Sequence, residues 1–505
     1  MLYSPGELYT MNTLPPSKPL EKDDLRHRAM RGGTATIFAQ GAKLALNAIS
    51  IVVLARLLAP EDFGLFAMVV AVTGFLEIFR SLGLIESIVK EPSLDEAQLS
   101  ALWMVSAAIG LALAALTLAL APLLAWLYND PRVLAVTAVL ALTFVIAGVS
   151  IQHNALLRRE MRFRAVLAVE VLFIATSVCV SIVSALLGFG YWSLVIGALA
   201  GETASTIALW AAHPWRPRRP ADFSSTGPML RFGLHIQAAN VLAVIPINLG
   251  NILIGHNWGG AALGFYSRAF NLIFLPLNQL VASTNLLAVP TLSRLRDDPK
   301  RFRAYYLKAL SLVTHFSMPT SMFLVVMSEE IIALVLGSKW QSATPIFRIL
   351  SIVSFAIPVG ESHKWVNVAL GRGDKMLRIS TFILVSFVSA LFIGLPWGPT
   401  GVATSITASY WLVLLPVLAY AFHGSPVDYR SVLKALLRPL LVSVCVGLAL
   451  VVYKVNFVGA SDAAWVTLLV AAVFTVSTAA FAASAMAGEV NPIRYVRASI
   501  RALKV

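Results

Sequence analysis

Apolar runs of eighteen or more residues recur along this chain from about residue 34 to residue 486. As a helix, each is long enough to cross a hydrocarbon layer roughly 30 Å thick. Inside such a layer no water can satisfy the backbone, so only helices and closed barrels can span it. The alternating polar and apolar pattern of barrel strands is absent. Composition agrees: of 505 residues, 58% are hydrophobic and only 13% charged, whereas a soluble domain is nearer one quarter charged. The sequence therefore predicts an all-α, polytopic membrane protein.

Reading the runs against Gly, Pro and charge punctuation gives about fourteen transmembrane helices. They fall at 34–58, 63–88, 99–127, 133–156, 163–187, 191–212, 230–256, 262–289, 305–336, 343–369, 377–395, 399–421, 433–453 and 464–486. Residues 1–31 are polar and charged, without the apolar core or cleavage site of a secretory leader. They read as a cytoplasmic tail with a short helix around residues 20–30. Cys179 and Cys445 both lie in apolar runs, where a packing role is expected rather than a disulfide or a metal site.

The formal net charge of +14 raises the question of nucleic acid. Its distribution answers it. Thirty of the 39 Lys and Arg fall in the tails and in alternate connections, among them Lys90, Arg158, Arg159, Arg162, Arg216, Arg218 and Arg294 to Lys308. The other side holds only Arg56, Arg132, Lys339 and Lys454. Such a bias orients a membrane protein with its basic side inside. Both termini are thus expected in the cytoplasm, and the charge is a topology signal with some affinity for anionic lipid. No nucleic-acid partner is implied.

Two stretches of the chain resemble each other. Gln40-x-x-Lys43 precedes a turn and Phe63-Gly-Leu-Phe66; Gln237-x-x-Asn240 precedes a turn and Leu263-Gly-Phe-Tyr266. The sixth and twelfth helices follow the Gly/aromatic turns Gly188-Phe-Gly-Tyr-Trp192 and Trp397-Gly-Pro-Thr-Gly401. The common order suggests two six-helix lobes plus two C-terminal helices. Because six is even, the lobes would form a parallel repeat about an axis along the membrane normal. The expected organisation is a tail at 1–31, an N-lobe at 32–213, a basic linker at 214–228, a C-lobe at 229–422, helices thirteen and fourteen at 423–487, and a cytoplasmic tail at 488–505.

Several motifs now carry a family resemblance. Leu54-Ala-Arg-Leu-Leu-Ala-Pro-Glu-Asp-Phe-Gly-Leu-Phe66, Leu82-Gly-Leu84, Leu263-Gly-Phe-Tyr-Ser-Arg-Ala269, Val289-Pro-Thr-Leu-Ser-Arg-Leu295 and Leu336-Gly-Ser-Lys-Trp340 are similar to the signatures of polysaccharide exporters. They resemble the Wzx-type polysaccharide-transporter branch of the MOP flippase superfamily, near the colanic-acid and succinoglycan type. The resemblance covers residues 30 to 480. It implies a V-shaped pair of lobes that moves an undecaprenyl-diphosphate-linked oligosaccharide between leaflets of a bacterial inner membrane. The product would feed exopolysaccharide, capsule, lipopolysaccharide or O-antigen assembly, alongside a polymerase and a chain-length regulator. Bottom-up, Pro60, Glu61 and Asp62 read as a helix start, where carboxylates suit the positive end of the helix dipole. Gly64 reads as a point of close helix approach.

Ionisable groups inside spans cost roughly 2.5–3.5 kcal/mol each on insertion scales and point to a pathway. Gln40, Lys43 and Asn47 share one face of the first helix. Lys43 is a candidate for the diphosphate, and an interhelical ion pair is the alternative. Arg80, Arg268 and Lys364 complete the candidate cationic cavity, with Gln40, Asn47, Gln237 and Asn240 as polar candidates for the glycan. Arg80 has Glu77 three residues before it, and Arg268 follows Tyr266. Glu361, His363 and Lys364 are the densest polar group within a span, with His363 off the shared face. Glu77, Glu170, Glu202, Glu361 and His363 are candidates for coupling or gating. Arg348 is expected near an interface, and His153 is expected to be solvated or to cap its helix.

No Gly-x-x-x-x-Gly-Lys-Ser/Thr loop, His-Glu-x-x-His or Cys-x-x-Cys motif occurs. The reading is a transporter rather than an enzyme, with no cofactor and with proton or sodium coupling left open. The rivals are a cation-coupled multidrug exporter, a peptidoglycan lipid-precursor flippase and a membrane-embedded polysaccharide polymerase or ligase. The first would be expected to present acids rather than in-span bases. The polymerase would need a large periplasmic loop, and none here exceeds about ten residues by the spans above.

Overall fold

The computed structural model describes residues 22–91, 94–218, 223, 226–457, 472 and 475. Side chains are described for these except residues 22–37 and scattered positions between 232 and 286, Asn240 among them. Apart from residues 472 and 475, the fourteenth helix expected at 464–486 lies outside the described residues, as do both far termini. Every regular element among those described is helical.

The helices are α1 Lys22–Leu57, α2 Pro60–Ile78, α3 Leu84–Lys90, α4 Glu96–Tyr128, α5 Arg132–Gly148, α6 Ile151–Arg159, α7 Phe163–Leu186 and α8 Trp192–Ala212. They continue as α9 Gly227–Arg294, α10 Pro299–Val326, α11 Ser328–Val335, α12 Thr344–Val353, α13 Ile357–Ala369, α14 Gly373–Gly394, α15 Gly398–Phe422 and α16 Tyr429–Phe457. Among the described residues eight segments are long and apolar enough to cross a membrane, and the bent pair α5–α6, taken as one span, makes a ninth. The chain is a multi-pass membrane protein. The short helix expected near residues 20–30 is the start of α1, and α9 holds the seventh and eighth spans, interrupted at Gly259 (φ 79°).

Four expected spans are broken where the sequence reads as continuous, the second between α2 and α3 at Leu82 (φ 43°) and Gly83 (φ 66°). The fourth bends by 41° between α5 and α6. There the freed carbonyl of Val149 accepts hydrogen bonds from the indoles of Trp103 (3.0 Å) and Trp210 (3.1 Å), which is how a bent membrane helix keeps its backbone satisfied. The ninth divides into α10 and α11 at Met327. The tenth begins as a 3-10 turn at Ser338–Ala343 and breaks again between α12 and α13, where the Ser354 hydroxyl bonds the Ser351 carbonyl (2.5 Å) and Ser321 (2.7 Å).

Two compact units result, Met1–Gly264 and Phe265–Val505. In the first, α7 packs on α8, α4 on α5 and α1 on α7. Leu84, Ile88, Leu99, Leu102, Ile151 and Trp215 form one core cluster. Small residues bring the helices close: a Cβ on Gly110 would lie 2.6 Å from the Phe144 carbonyl oxygen, and one on Gly197 would collide with Ser181. The segment from His213 folds back on this core. Trp215 buries its ring there, and Arg218 donates its backbone amide to Ser100 (3.0 Å) and a guanidinium hydrogen to Glu96 (2.9 Å). In the second unit α10 packs on α16 and α13, around Phe302, Tyr306, Leu310, Trp365 and Phe422.

The internal repeat has a backbone counterpart. Left-handed residues recur at matching places: Met161 and Gly371 between helices, then Gly188 and Gly398 at the Gly/aromatic turns. His153 and His363 stand at the same distance before the first of these turns. The unit boundary at Gly264 lies beyond the linker at 214–228, because the opening part of α9 packs along α2.

Two sequence expectations are overturned. Cys179 and Cys445 lie on exposed helix faces rather than in the packing, since neither is needed to fill a core that Leu, Val and Ala already occupy. His153 is fully buried, its Nε2 3.2 Å from the Trp215 carbonyl and its ring stacked on Trp210 at 4.5 Å. The folded-back segment covers it.

Candidate functional site

The first unit gathers its in-span charges into two clusters. Lys43 of α1 bonds the Glu170 carboxylate of α7, whose other oxygen lies 3.5 Å from Arg158 of α6. Arg158 is itself oriented by Asn154, one turn earlier, at 2.9 Å. Arg80, just past α2, meets Glu77 at 2.9 Å and Glu202 of α8 at 3.4 Å. By chain position both clusters lie toward the basic connections. The first carries two cations and one carboxylate, the second one cation and two carboxylates.

Each cluster follows from local sequence. The apolar part of α1 is largely uncovered, and its chief described neighbour is α7. A lysine on its inner face therefore meets α7, and Glu170 is the group there that can take its charge. Lys43 retains 18% of its side-chain exposure and Glu170 38%, so the pair is shielded but not dry. A pair of this kind, broken at one partner, leaves a poorly solvated charge and destabilises the fold.

The remaining candidates fall as follows. Asn47 donates its amide to the Lys43 carbonyl (2.9 Å), within α1, and Gln40 is half-buried one turn before Lys43. Gln237 is buried and donates to Ser81 Oγ (3.2 Å). Asn240 is on α9, but its side chain lies outside those described. In the second unit Arg268 is half-buried beside the buried Tyr266. Lys364 and Glu361 pair at 2.6 Å on one face of α13, while His363 turns away and contacts the Gly360 carbonyl. Glu361 and His363 border a small pocket with Ser386, Ser409 and Tyr410. Arg348 bonds Ser328 (2.9 Å) and Glu329 (2.8 Å) and is largely exposed.

The sequence reading missed Arg158 and treated Glu170 and Glu202 as solitary. Arg158 looks like one more topology charge in an arginine-rich connection. Its one distinguishing signal is Asn154 four residues before it, on the same helical face.

Two further ion networks hold helix ends and connections in place, the first of them outside the spans. Arg132 bonds Asp130 through paired contacts of 2.8–3.2 Å and Glu61 at 2.5 Å. The Arg132 hydrogen bonds hold the Asp130 carboxyl below its ordinary range. In the second, Glu329 is bonded by Arg348 (2.8 Å) and Lys454 (3.0 Å). No group of three metal-ligating side chains occurs among the described residues.

Residues 53–345 match the family model described as "Polysaccharide biosynthesis protein". The chain belongs to that family. Among characterised relatives it is 24% identical, over 83% of its own length and 86% of the other's, to the lipopolysaccharide biosynthesis protein WzxC of Escherichia coli K12. It is 23% identical to the teichuronic acid biosynthesis protein TuaB of Bacillus subtilis, over 74% of this chain and 78% of that one. To the succinoglycan biosynthesis transport protein ExoT of Rhizobium meliloti it is 23% identical, over 63% and 64%. The fold of this family member is shared with the lipid II flippase MurJ in an inward closed conformation: TM-score 0.70, 16% identity, covering 91% of this chain and 99% of that one. A MATE transporter of the MOP superfamily follows at TM-score 0.59 and 14% identity, with 76% and 94% covered.

Proposed function

We propose that this protein is a flippase for undecaprenyl-diphosphate-linked oligosaccharide repeat units, working by alternating access in a bacterial inner membrane. The observation that carries the reading is the family match across residues 53–345, joined by relatives named for polysaccharide biosynthesis and transport. The basic connections then face the cytoplasm, where the charge bias would hold them. No covalent step is assigned to the chain.

The charge clusters suit this task. A diphosphate cannot cross a low-dielectric layer without compensating positive charge. Lys43, Arg80, Arg268 and Lys364 are the proposed anion contacts, and Arg158 joins them through Glu170. Guanidinium offers phosphate a matching fork of donors. In the resting protein Glu170 and Glu202 hold these cations, so an arriving diphosphate competes with internal carboxylates rather than meeting bare charge. Proton or sodium uptake at those carboxylates is the proposed coupling. Gln40, Asn47, Gln237 and Asn240 are the proposed glycan contacts, and polymerase and chain-length regulator the expected partners.

Complementation tests the function. A deletion strain should stop exporting polymer and accumulate lipid-linked repeat units on the cytoplasmic side, with drug susceptibility unchanged. Normal export without the gene, or a drug-efflux defect alone, would reject the flippase reading.

A further inference from the structure

The two repeats close the junction of their last two helices differently. His153 and His363, Met161 and Gly371, and Gly188 and Gly398 each stand 210 residues apart (363 − 153, 371 − 161, 398 − 188). By that spacing α7 and α8 of the first unit correspond to α14 and α15 of the second. Trp210 then corresponds to Tyr420, and Ala165 and Ala168 to Lys375 and Arg378.

In the first unit the junction is filled. Trp210 stacks on His153 and donates its indole hydrogen to the Val149 carbonyl. Ala165 packs against a cluster of Val166, Val169 and Leu209. In the second unit the same place is an open groove of about 310 Å³, lined by Arg378, Ile379, Phe382, Pro416, Val417 and Tyr420. The cause is local. Arg378 donates to the Tyr420 hydroxyl (3.2 Å), and the Lys375 ammonium lies 5.3 Å from the centre of the Tyr420 ring. Held at the surface in this way, Tyr420 leaves open what Trp210 closes.

The mouth of the groove is cationic and its walls are apolar. Arg372 and Lys375 both bond the His423 carbonyl (3.1 and 2.7 Å), which suits cations at the negative end of α15. Arg378 has no such task. Among the described residues its one hydrogen bond is to the neutral Tyr420 hydroxyl, and it forms no ion pair. Lys43 and Arg80, by contrast, are held by carboxylates. Past Arg378 the groove runs over Ile379, Phe382 and Val417, and Val385, Leu412 and Leu415 continue as exposed apolar side chains on the same helices. A basic pocket between membrane helices, opening beside an apolar channel, matches an amphiphile with an anionic head. Guanidinium offers its phosphate a fork of donors.

We propose that the α14–α15 groove holds one anionic phospholipid, of the phosphatidylglycerol class, from the leaflet beside the basic connections. Its phosphate lies on Arg378 and Lys375, and one acyl chain lies over Ile379, Phe382, Pro416 and Val417. A lipid seated there bridges α14 to α15 and stabilises the second unit. This inference does not rest on the flippase reading, because the lipid is a resident of the fold and not its cargo.

Two measurements on purified protein in neutral detergent test it. Added phosphatidylglycerol should raise the Tm by about 3 °C more than an equal amount of phosphatidylcholine. Arg378→Gln, which leaves the α15 cap intact, should abolish most of that difference, and Arg378→Lys should keep at least half. Arg430→Gln removes the same charge elsewhere on the basic side and should keep all of it. The second measurement needs no variant. A phosphatidylglycerol with a diazirine on its acyl chain should label the peptides that hold Phe382 and Val417 at least fivefold more than its phosphatidylcholine counterpart. Equal labelling by the two lipids, or a Tm difference indifferent to Arg378→Gln, overturns the site. A full Tm shift with soluble glycerol phosphate would make it an anion site and overturn the lipid. Displacement of the photolabel by undecaprenyl diphosphate at lower concentration than by phosphatidylglycerol would give the groove to a polyprenyl lipid and overturn the resident phospholipid.

Discussion

At the scale of single residues, the most informative change from sequence to structure concerns Lys43. As a lysine in an apolar run it is a cost without an evident return; in the fold it is held by Glu170, and Glu170 by Arg158. The sequence showed the polar face of α1 but not its partner, because Glu170 lies 127 residues away and only helix packing brings it near. Asn47, on the same face, spends its amide within α1, which spacing alone does not reveal. Lys43→Ala should lower the Tm of purified protein, because it leaves Glu170 with Arg158 alone. The double variant Lys43→Ala, Glu170→Gln should be less damaged than the sum of the singles, with a coupling on the order of 1 kcal/mol. Strict additivity in thermal unfolding would deny the pair an energetic role. Gly64→Ala and Gly264→Ala should each cost about 1–3 kcal/mol through overpacking, and by similar amounts, because their contacts are reciprocal: a Cβ on Gly64 would meet the Gly260 carbonyl oxygen, and one on Gly264 the Pro60 carbonyl oxygen. Unequal shifts in Tm would contradict that symmetry.

At the scale of elements, the long helices are legible because their ends carry simple chemistry. The second begins at Pro60, where Asp62 accepts the Ala59 amide at 2.9 Å, as the carboxylates there suggest. The breaks in the fourth, ninth and tenth spans are not legible, because hydropathy does not register a bend whose freed carbonyls are met by Trp103, Trp210 or Ser354 from within apolar sequence. Trp103→Phe and Trp210→Phe together should therefore destabilise the α5–α6 bend by about 1–3 kcal/mol, the cost of one buried carbonyl left without its donors, read as a lower Tm with helicity retained. Acid sensitivity belongs to this scale too. Asp130, in the connection between α4 and α5, has its carboxyl pK lowered by hydrogen bonds from Arg132. A depressed carboxylate stabilises the fold above its unfolded pK of about 3.9 and loses that contribution as pH falls through the lower folded value. Asp130→Asn should flatten the acid limb of a Tm-against-pH curve below about pH 3.9; an unchanged acid limb would remove this network from the account.

At the scale of the whole molecule, the helical multi-pass fold and the family were readable from hydropathy and motifs, whereas the charge balance of the interior was not. Thirty basic residues on one side are visible in a count, but the internal neutralisation of Lys43 and Arg80 requires coordinates. That neutralisation sets an expectation for transport. Glu170→Gln should lower the Tm, as any break of the pair does, and in the protein that still folds should raise the apparent affinity for the anionic lipid while slowing turnover, because the competing carboxylate no longer helps to release it. Reconstituted flipping assays that resolve affinity from rate would check this; a fall in affinity would contradict the competition.

The reciprocal contact of Pro60 and Gly64 with Gly260 and Gly264 has a local symmetry. Surfaces that offer identical atoms to each other are the mark of a two-fold axis, and in oligomers they arise between identical chains. Here both surfaces belong to one polypeptide, in motifs that resemble each other. The same geometric demand therefore falls on two positions 200 residues apart in one chain: at each, a single methyl group would have to displace the opposite backbone.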